Sequence, residues 1–223
     1  MSKGTDQIGR SFDHFGRYGP TLVAVTRPFR QQIDDGILDR AAALFARRGF
    51  AKTSVQDVAD AVGLSKAGLL HHFPSKEALY EAVVGQAEAL GDRVLDGVRD
   101  LPLGTARDRR AIEVMVDVAL AHPGLVALLL APLTQGGPHA VHGSDVGATA
   151  AAAFEAFGLE VGGPVSERAV RVAGALSAVA VLSIAAHFDP DDTPAWRAHI
   201  VATCTDALGA ARTLSPVADQ VEA

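Results

Sequence analysis

The chain has one cysteine, Cys204, in 223 residues. An internal disulfide is therefore excluded, and the composition fits a reducing compartment, so a cytoplasmic location is expected. Aromatic residues are scarce at 5%, which leaves the core to aliphatic side chains. No alternating strand pattern runs beyond a few residues, so an all-α fold is expected. The longest apolar runs, near 125–133 and 178–186, fall short of the ~20 residues that a helix needs to span a bilayer, and no membrane partner is expected. The first ten residues are polar and lack the apolar core of a signal peptide. No phosphate-binding loop, dinucleotide fingerprint, nucleophile elbow or HExxH motif occurs, so neither an enzyme nor a cofactor is expected. His139 and His142 near Asp145, and Asp117 with His122, lack a third ligand at a telling spacing. No metal is expected.

What is present is a chain with 48% apolar residues and a mean hydropathy of +0.19, enough for a sizeable core. Its charge is uneven. Residues 1–84 hold 11 basic and 9 acidic residues, a net of +2, whereas residues 85–223 hold 9 and 17, a net of −8. Such asymmetry is expected when only one end meets a polyanion.

The segment from Thr53 to Phe73 reads as two short helices joined by a tight turn. Thr53 and Gln56 have the capping-box spacing. Val55, Val58, Ala59 and Val62 give one apolar face. Gly63 is the expected stop, Leu64 fills the corner and Ser65 caps the next helix. Leu69 and Phe73 then face inward. Lys66, Ala67, Gly68, Leu70 and His71 fall on the outward side, where small side chains allow close approach and Lys66 supplies charge. A helix N-terminus adds its own partial positive charge.

Upstream, 37–50 is a helical segment ending in Gly49-Phe50. Downstream comes Phe73-Pro74-Ser75-Lys76-Glu77-Ala78-Leu79. In order and spacing, residues 33–84 resemble the N-terminal domain of TetR/AcrR bacterial transcriptional regulators. The resemblance implies a three-helix helix-turn-helix domain followed by a larger helical domain for ligand binding and dimerisation. It places Ser54, Gln56, Lys66, Ala67, Gly68, His71, His72 and Lys76 at DNA-contacting positions. Gln56 and Lys66 would read bases, and Lys76 would meet a phosphate at the start of the fourth helix. One departure is Leu70, where the family often has a phosphate-contacting Tyr; His71 or His72 would take over that contact.

The expected organisation is a leader over 1–30, the helix-turn-helix domain over 31–84 and the body over 85–223. The first helix is expected from about Gln31 to Arg48. The fourth starts at Ser75, with Gly85, Gly91 and Gly97 as sites of a bend or break. Body helices are expected over 105–121, 125–133, 145–157, 165–188 and 195–214, with a glycine-rich loop over 134–145. The last two are rich in small and apolar residues, which suggests self-association, and the resemblance implies a four-helix dimer interface from 165–188 and 195–213. Two recognition helices would then lie ~34–36 Å apart, or a multiple of that, on a palindromic operator. Met115, His122, Leu129, Phe154, Phe157 and His187 are candidates to line a pocket for a small, mostly apolar effector. The reading favoured is a dimeric repressor that such a ligand releases from double-stranded DNA. The alternative is an all-helical enzyme or binding protein whose N-terminal hairpin is structural.

Overall fold

The computed structural model describes residues 21–134 and 147–209, with side chains from residue 32 onward except 132–134 and 190. The expected glycine-rich loop, with His139, His142 and Asp145, falls largely outside these residues, as does the leader up to residue 20. Nine α-helices appear among the described residues, and no strand: α1 (Thr21–Arg48), α2 (Val55–Val62), α3 (Lys66–His72), α4 (Lys76–Asp96), α5 (Thr105–Ala121), α6 (Pro123–Thr134), α7 (Gly147–Glu155), α8 (Glu167–Ala186) and α9 (Thr193–Ala207). The chain forms two compact units, Met1–Asp34 and Asp35–Ala223. The core and the candidate site both lie in the second.

Several boundaries differ from expectation. Helix α1 begins ten residues early, at Thr21, and continues through Pro28 although that residue removes one backbone donor. Helix α6 starts at Pro123, the first-turn position where a missing N–H costs nothing. Helix α4 is not broken at its glycines. It runs unbroken to Asp96, and Gly97 caps it. Gly91 is buried instead, and a Cβ there would lie 3.2 Å from the Ala152 Cβ. Its place in the sequence reflects the close approach of α7.

Buried side chains form two clusters. The first joins Ile37, Ala41, Phe45, Val58, Leu69, Leu79 and Val83 with Ala87, and adds Leu125, Leu128 and Ala131 from α6. The second joins Val94 and Val98 to Ile112, Met115, Val116, Phe157, Val172, Val179 and Ile200. Both α4 and α6 contribute to both clusters. The core of the N-terminal head is thus completed by residues well beyond 84.

Arginines fasten the body. Arg107 donates to the carbonyls of Ala156 at 2.8 Å and Leu101 at 3.0 Å, satisfying chain ends after α7 and α4. Arg168 holds Asp108 through two bonds of 3.0 and 2.9 Å and also reaches the Phe157 carbonyl. Arg197 does the same for Asp117, joining α9 to α5. Cys204 is fully buried, its Sγ 3.5 Å from the Ala175 carbonyl, and burial pushes its thiol up to about 11. It is inert packing.

Asp39 on α1 meets the start of α6. Its Oδ1 accepts the Leu125 N–H at 3.0 Å, and Gly124 N–H also bonds to it. A carboxylate suits the partial positive charge of a helix N-terminus. Burial nevertheless raises the Asp39 pKa, against the lowering effect of those two N–H groups and of His122 and His187. A carboxyl shifted upward stabilises the fold most when protonated, below its unfolded value, and that contribution is lost as pH rises through the folded value. Asp39→Asn keeps an acceptor for Leu125. Its stability relative to wild type should therefore climb as pH rises from about 4 towards neutral, as read from urea midpoints. At Gly124 a Cβ would lie 1.9 Å from the Asp39 carbonyl oxygen. Gly124→Ala should cost about 1–3 kcal/mol or more by the same assay, as overpacking against backbone does.

Candidate nucleic-acid interface

The two short helices form as the sequence suggests, with one correction to the capping. Thr53 is buried, and its hydroxyl donates to the Gly49 carbonyl at 2.9 Å, so it is not free to cap. Ser54 is the N-cap of α2. Its Oγ accepts the Asp57 N–H at 3.1 Å, while the Asp57 carboxylate accepts the Ser54 N–H at 2.8 Å. The capping box is Ser54 with Asp57, one residue later than Thr53 with Gln56. Both registers satisfy the pattern, and burial of Thr53 decides between them.

Gly63 ends α2 at φ +72, the left-handed conformation that glycine adopts without strain. The Leu64 N–H returns to the Ala59 carbonyl at 2.9 Å. Ser65 caps α3 by accepting the Gly68 N–H at 3.0 Å. Leu69 is fully buried and anchors α3 on the head core, with Leu64 and Phe73 packed beside it. Arg48 in the last turn of α1 donates to Asp57 at 2.9 Å, tying α1 to the start of α2.

Of the residues expected at DNA, Ser54, Gln56, Lys66, Ala67 and His71 are exposed, and Gly68, His72 and Lys76 are half-buried. Leu70, expected on the outward side, is half-buried as well. Gln56 is not a free amide: its Nε2 donates to Asp60 at 2.7 Å. Lys66 has no ion pair among the described residues. Lys52 is likewise exposed and unpaired two residues before the Ser54 cap, and the sequence reading passed over it. Its signal was plain: a cation next to a helix N-cap.

The residues expected to line a pocket divide in two. Met115, Phe154 and Phe157 belong to the second core cluster. Leu129 is half-buried on α6. His122 is half-buried and His187 exposed, and both lie close enough to Asp39 to influence its charge. His122 directly precedes α6 and His187 directly follows α8. No group of three metal-ligating side chains occurs among the described residues.

The Asp57 carboxyl is held below the usual range, first by the Ser54 hydroxyl and N–H and then by Arg48. A carboxyl held low stabilises the fold above its unfolded value, and the contribution is lost as pH falls through the folded value. Asp57→Asn should therefore be less stable than wild type near neutrality, with the difference shrinking below about pH 4. Ser54→Ala should cost ~1 kcal/mol through loss of the cap. Urea titrations across that range would check both.

Residues 37–83 match the family model described as bacterial regulatory proteins, tetR family. Among curated proteins, the chain is 35% identical over 80 residues to the HTH-type transcriptional repressor KstR2 of Rhodococcus jostii, covering 36% of this chain and 38% of that one. It is 32% identical over 102 residues to the HTH-type transcriptional regulator RutR of Escherichia coli, covering 46% and 48%. The match thus spans less than half the length of these curated relatives. Among solved structures, the TetR family transcriptional regulator PfmR from Thermus thermophilus is similar with a TM-score of 0.51 and 26% identity, over 81% of this chain and 99% of that one. That likeness extends through the helical body. Over residues 37–83 the chain is thus similar to the tetR family of bacterial regulatory proteins.

Proposed function

We propose that this chain is a dimeric, DNA-binding transcriptional repressor that leaves a palindromic operator when a small, mostly apolar ligand occupies its body. The observation that carries the reading is the α2–α3 unit. Two capped helices are set by Gly63 at a fixed angle, and the outward N-terminus of α3 presents an unpaired Lys66 beside the small Ala67 and Gly68. That surface suits close approach to base edges and phosphates. The head, 31–84, would bind DNA and the body, 85–223, would dimerise and bind the effector, in the cytoplasm. Ser54, Gln56, Lys66, Ala67, Gly68, His71 and His72 form the proposed interface. Met115, Leu129, Phe154 and Phe157 are the proposed ligand-facing groups, with His122 and His187 at the neighbouring junction.

Helix α8 supports the dimer. Val170 and Val181 are 61% and 57% exposed, and with Gly174 and Ser177 they make one exposed stripe. Ala198 and Ala202 are exposed on α9, which packs against α8. By length and composition α8 could also cross a membrane. Its polar start argues for a protein partner instead, because Glu167 and Arg171 pair there and Arg168 holds Asp108. A stripe of small apolar residues suits close helix packing against a second copy.

Selection from random duplex DNA by the purified protein should yield a palindromic consensus. Lys66→Ala should lose ~1–3 kcal/mol of discrimination at one base pair per half-site. A loss equal on all sequences would place Lys66 at a phosphate instead. Val181→Arg should turn the dimer into a monomer by sedimentation and weaken operator binding with it. Failure of wild type to enrich any sequence would sink the reading.

A further inference from the structure

We infer that Lys76 is a positioning residue for the recognition unit, acting through the protein and not through a phosphate. This rests on the DNA-binding reading proposed above. Lys76 is the first residue of α4, where the partial positive charge of the helix end disfavours a cation. Its ammonium is stabilised elsewhere. Nζ donates to the Phe50 carbonyl at 3.0 Å and lies 4.1 Å from the centroid of the Phe50 ring. Carbonyl and ring face together compensate the cation in a half-buried setting.

The partner is a structural hub. The Phe50 ring sits 5.7 Å from Phe45 and 5.1 Å from Tyr80, and those two are 5.4 Å apart. One cluster thus joins the end of α1, the turn and the first part of α4. The same Phe50 carbonyl accepts the Thr53 N–H at 3.2 Å, and the Thr53 hydroxyl donates to Gly49. The next residue is Ser54, the cap of α2. Lys76 therefore pins the short turn from which α2 starts, and α2 carries α3 with it through Gly63 and Leu64. Releasing the turn would shift every proposed base-facing side chain at once while changing no contact to DNA.

The two roles differ in what they do to DNA binding. A phosphate contact strengthens binding to every sequence and adds to the salt slope. A positioning contact sharpens only binding that depends on register. The test compares wild type with Lys76→Met, Lys76→Arg and Phe50→Leu, each confirmed folded by circular dichroism at the assay temperature. Affinities would be measured for the selected operator and a scrambled duplex of equal length over a range of salt. Lys76→Met is expected to lower the ratio of specific to non-specific affinity about tenfold or more, as loss of a hydrogen bond to a charged group allows. The salt slope on scrambled DNA should stay the same. Lys76→Arg should restore most of the ratio, since a guanidinium can make both contacts. Phe50→Leu leaves every charge in place and should reproduce the loss. An unchanged ratio in Lys76→Met, or an equal loss on both duplexes with a slope smaller by about 0.9 per head, would overturn the positioning role alone. A wild-type protein without sequence preference would overturn both it and the reading beneath it.

Discussion

The contact between Asp39 and the start of α6 is the constraint on which the rest of the fold depends. A backbone carbonyl of α1 lies where a Gly124 side chain would have to be, so the two helices can meet only because residue 124 has none. At that point the Asp39 carboxylate takes up two N–H groups that α6 cannot satisfy internally. The direction of α6 is thereby fixed against α1. Leu125, Leu128 and Ala131 enter the head core because that direction aims them there. The most apolar of the described helices is therefore shared between two cores, and none of its described side chains is fully exposed.

Elsewhere the fold is fastened by cations on backbone carbonyls and carboxylates. Arg107 binds the ends of two helices, and Arg168 binds a carboxylate and a helix end together. Such contacts order loops that the aliphatic core leaves without partners. They also explain why an acidic body is held together by so few basic residues: several of its nine are placed at helix ends, where one guanidinium satisfies several acceptors.

The sequence made the α2–α3 unit legible because its signals are local. Gly63, Leu64, Ser65 and Leu69 each act within a turn or two, and each takes the expected place. The capping register was not legible, because Thr53 and Ser54 both fit the pattern and only the tertiary burial of Thr53 separates them. Gly91 looked like a weak point in a helix and Gly124 fell in the break between two expected helices, yet each marks a neighbour's approach, a fact that periodicity does not carry. The influence of His122 and His187 on Asp39 joins residues far apart in the chain. The pocket reading, which rested on residue type, grouped them with Met115 and Phe157 instead. Lys76 was legible as a cation at a helix start, but not as one already engaged with Phe50.

The proposed dimer and the charge of the head bear on each other. With Arg48 paired to Asp57 and Lys76 turned to Phe50, the unpaired cations around the two short helices reduce to a few such as Lys52 and Lys66. Each neutralised phosphate contributes only one increment of counterion release, so a single head of this charge would bind DNA weakly at physiological salt. Two heads joined in the proposed dimer would convert the second contact into an intramolecular step, which raises affinity without new charge. The exposed apolar stripe of α8 and the sparsely charged head are then two sides of one economy. In the proposed dimer, strength would come from pairing, and anything that alters the distance between the heads would change binding steeply.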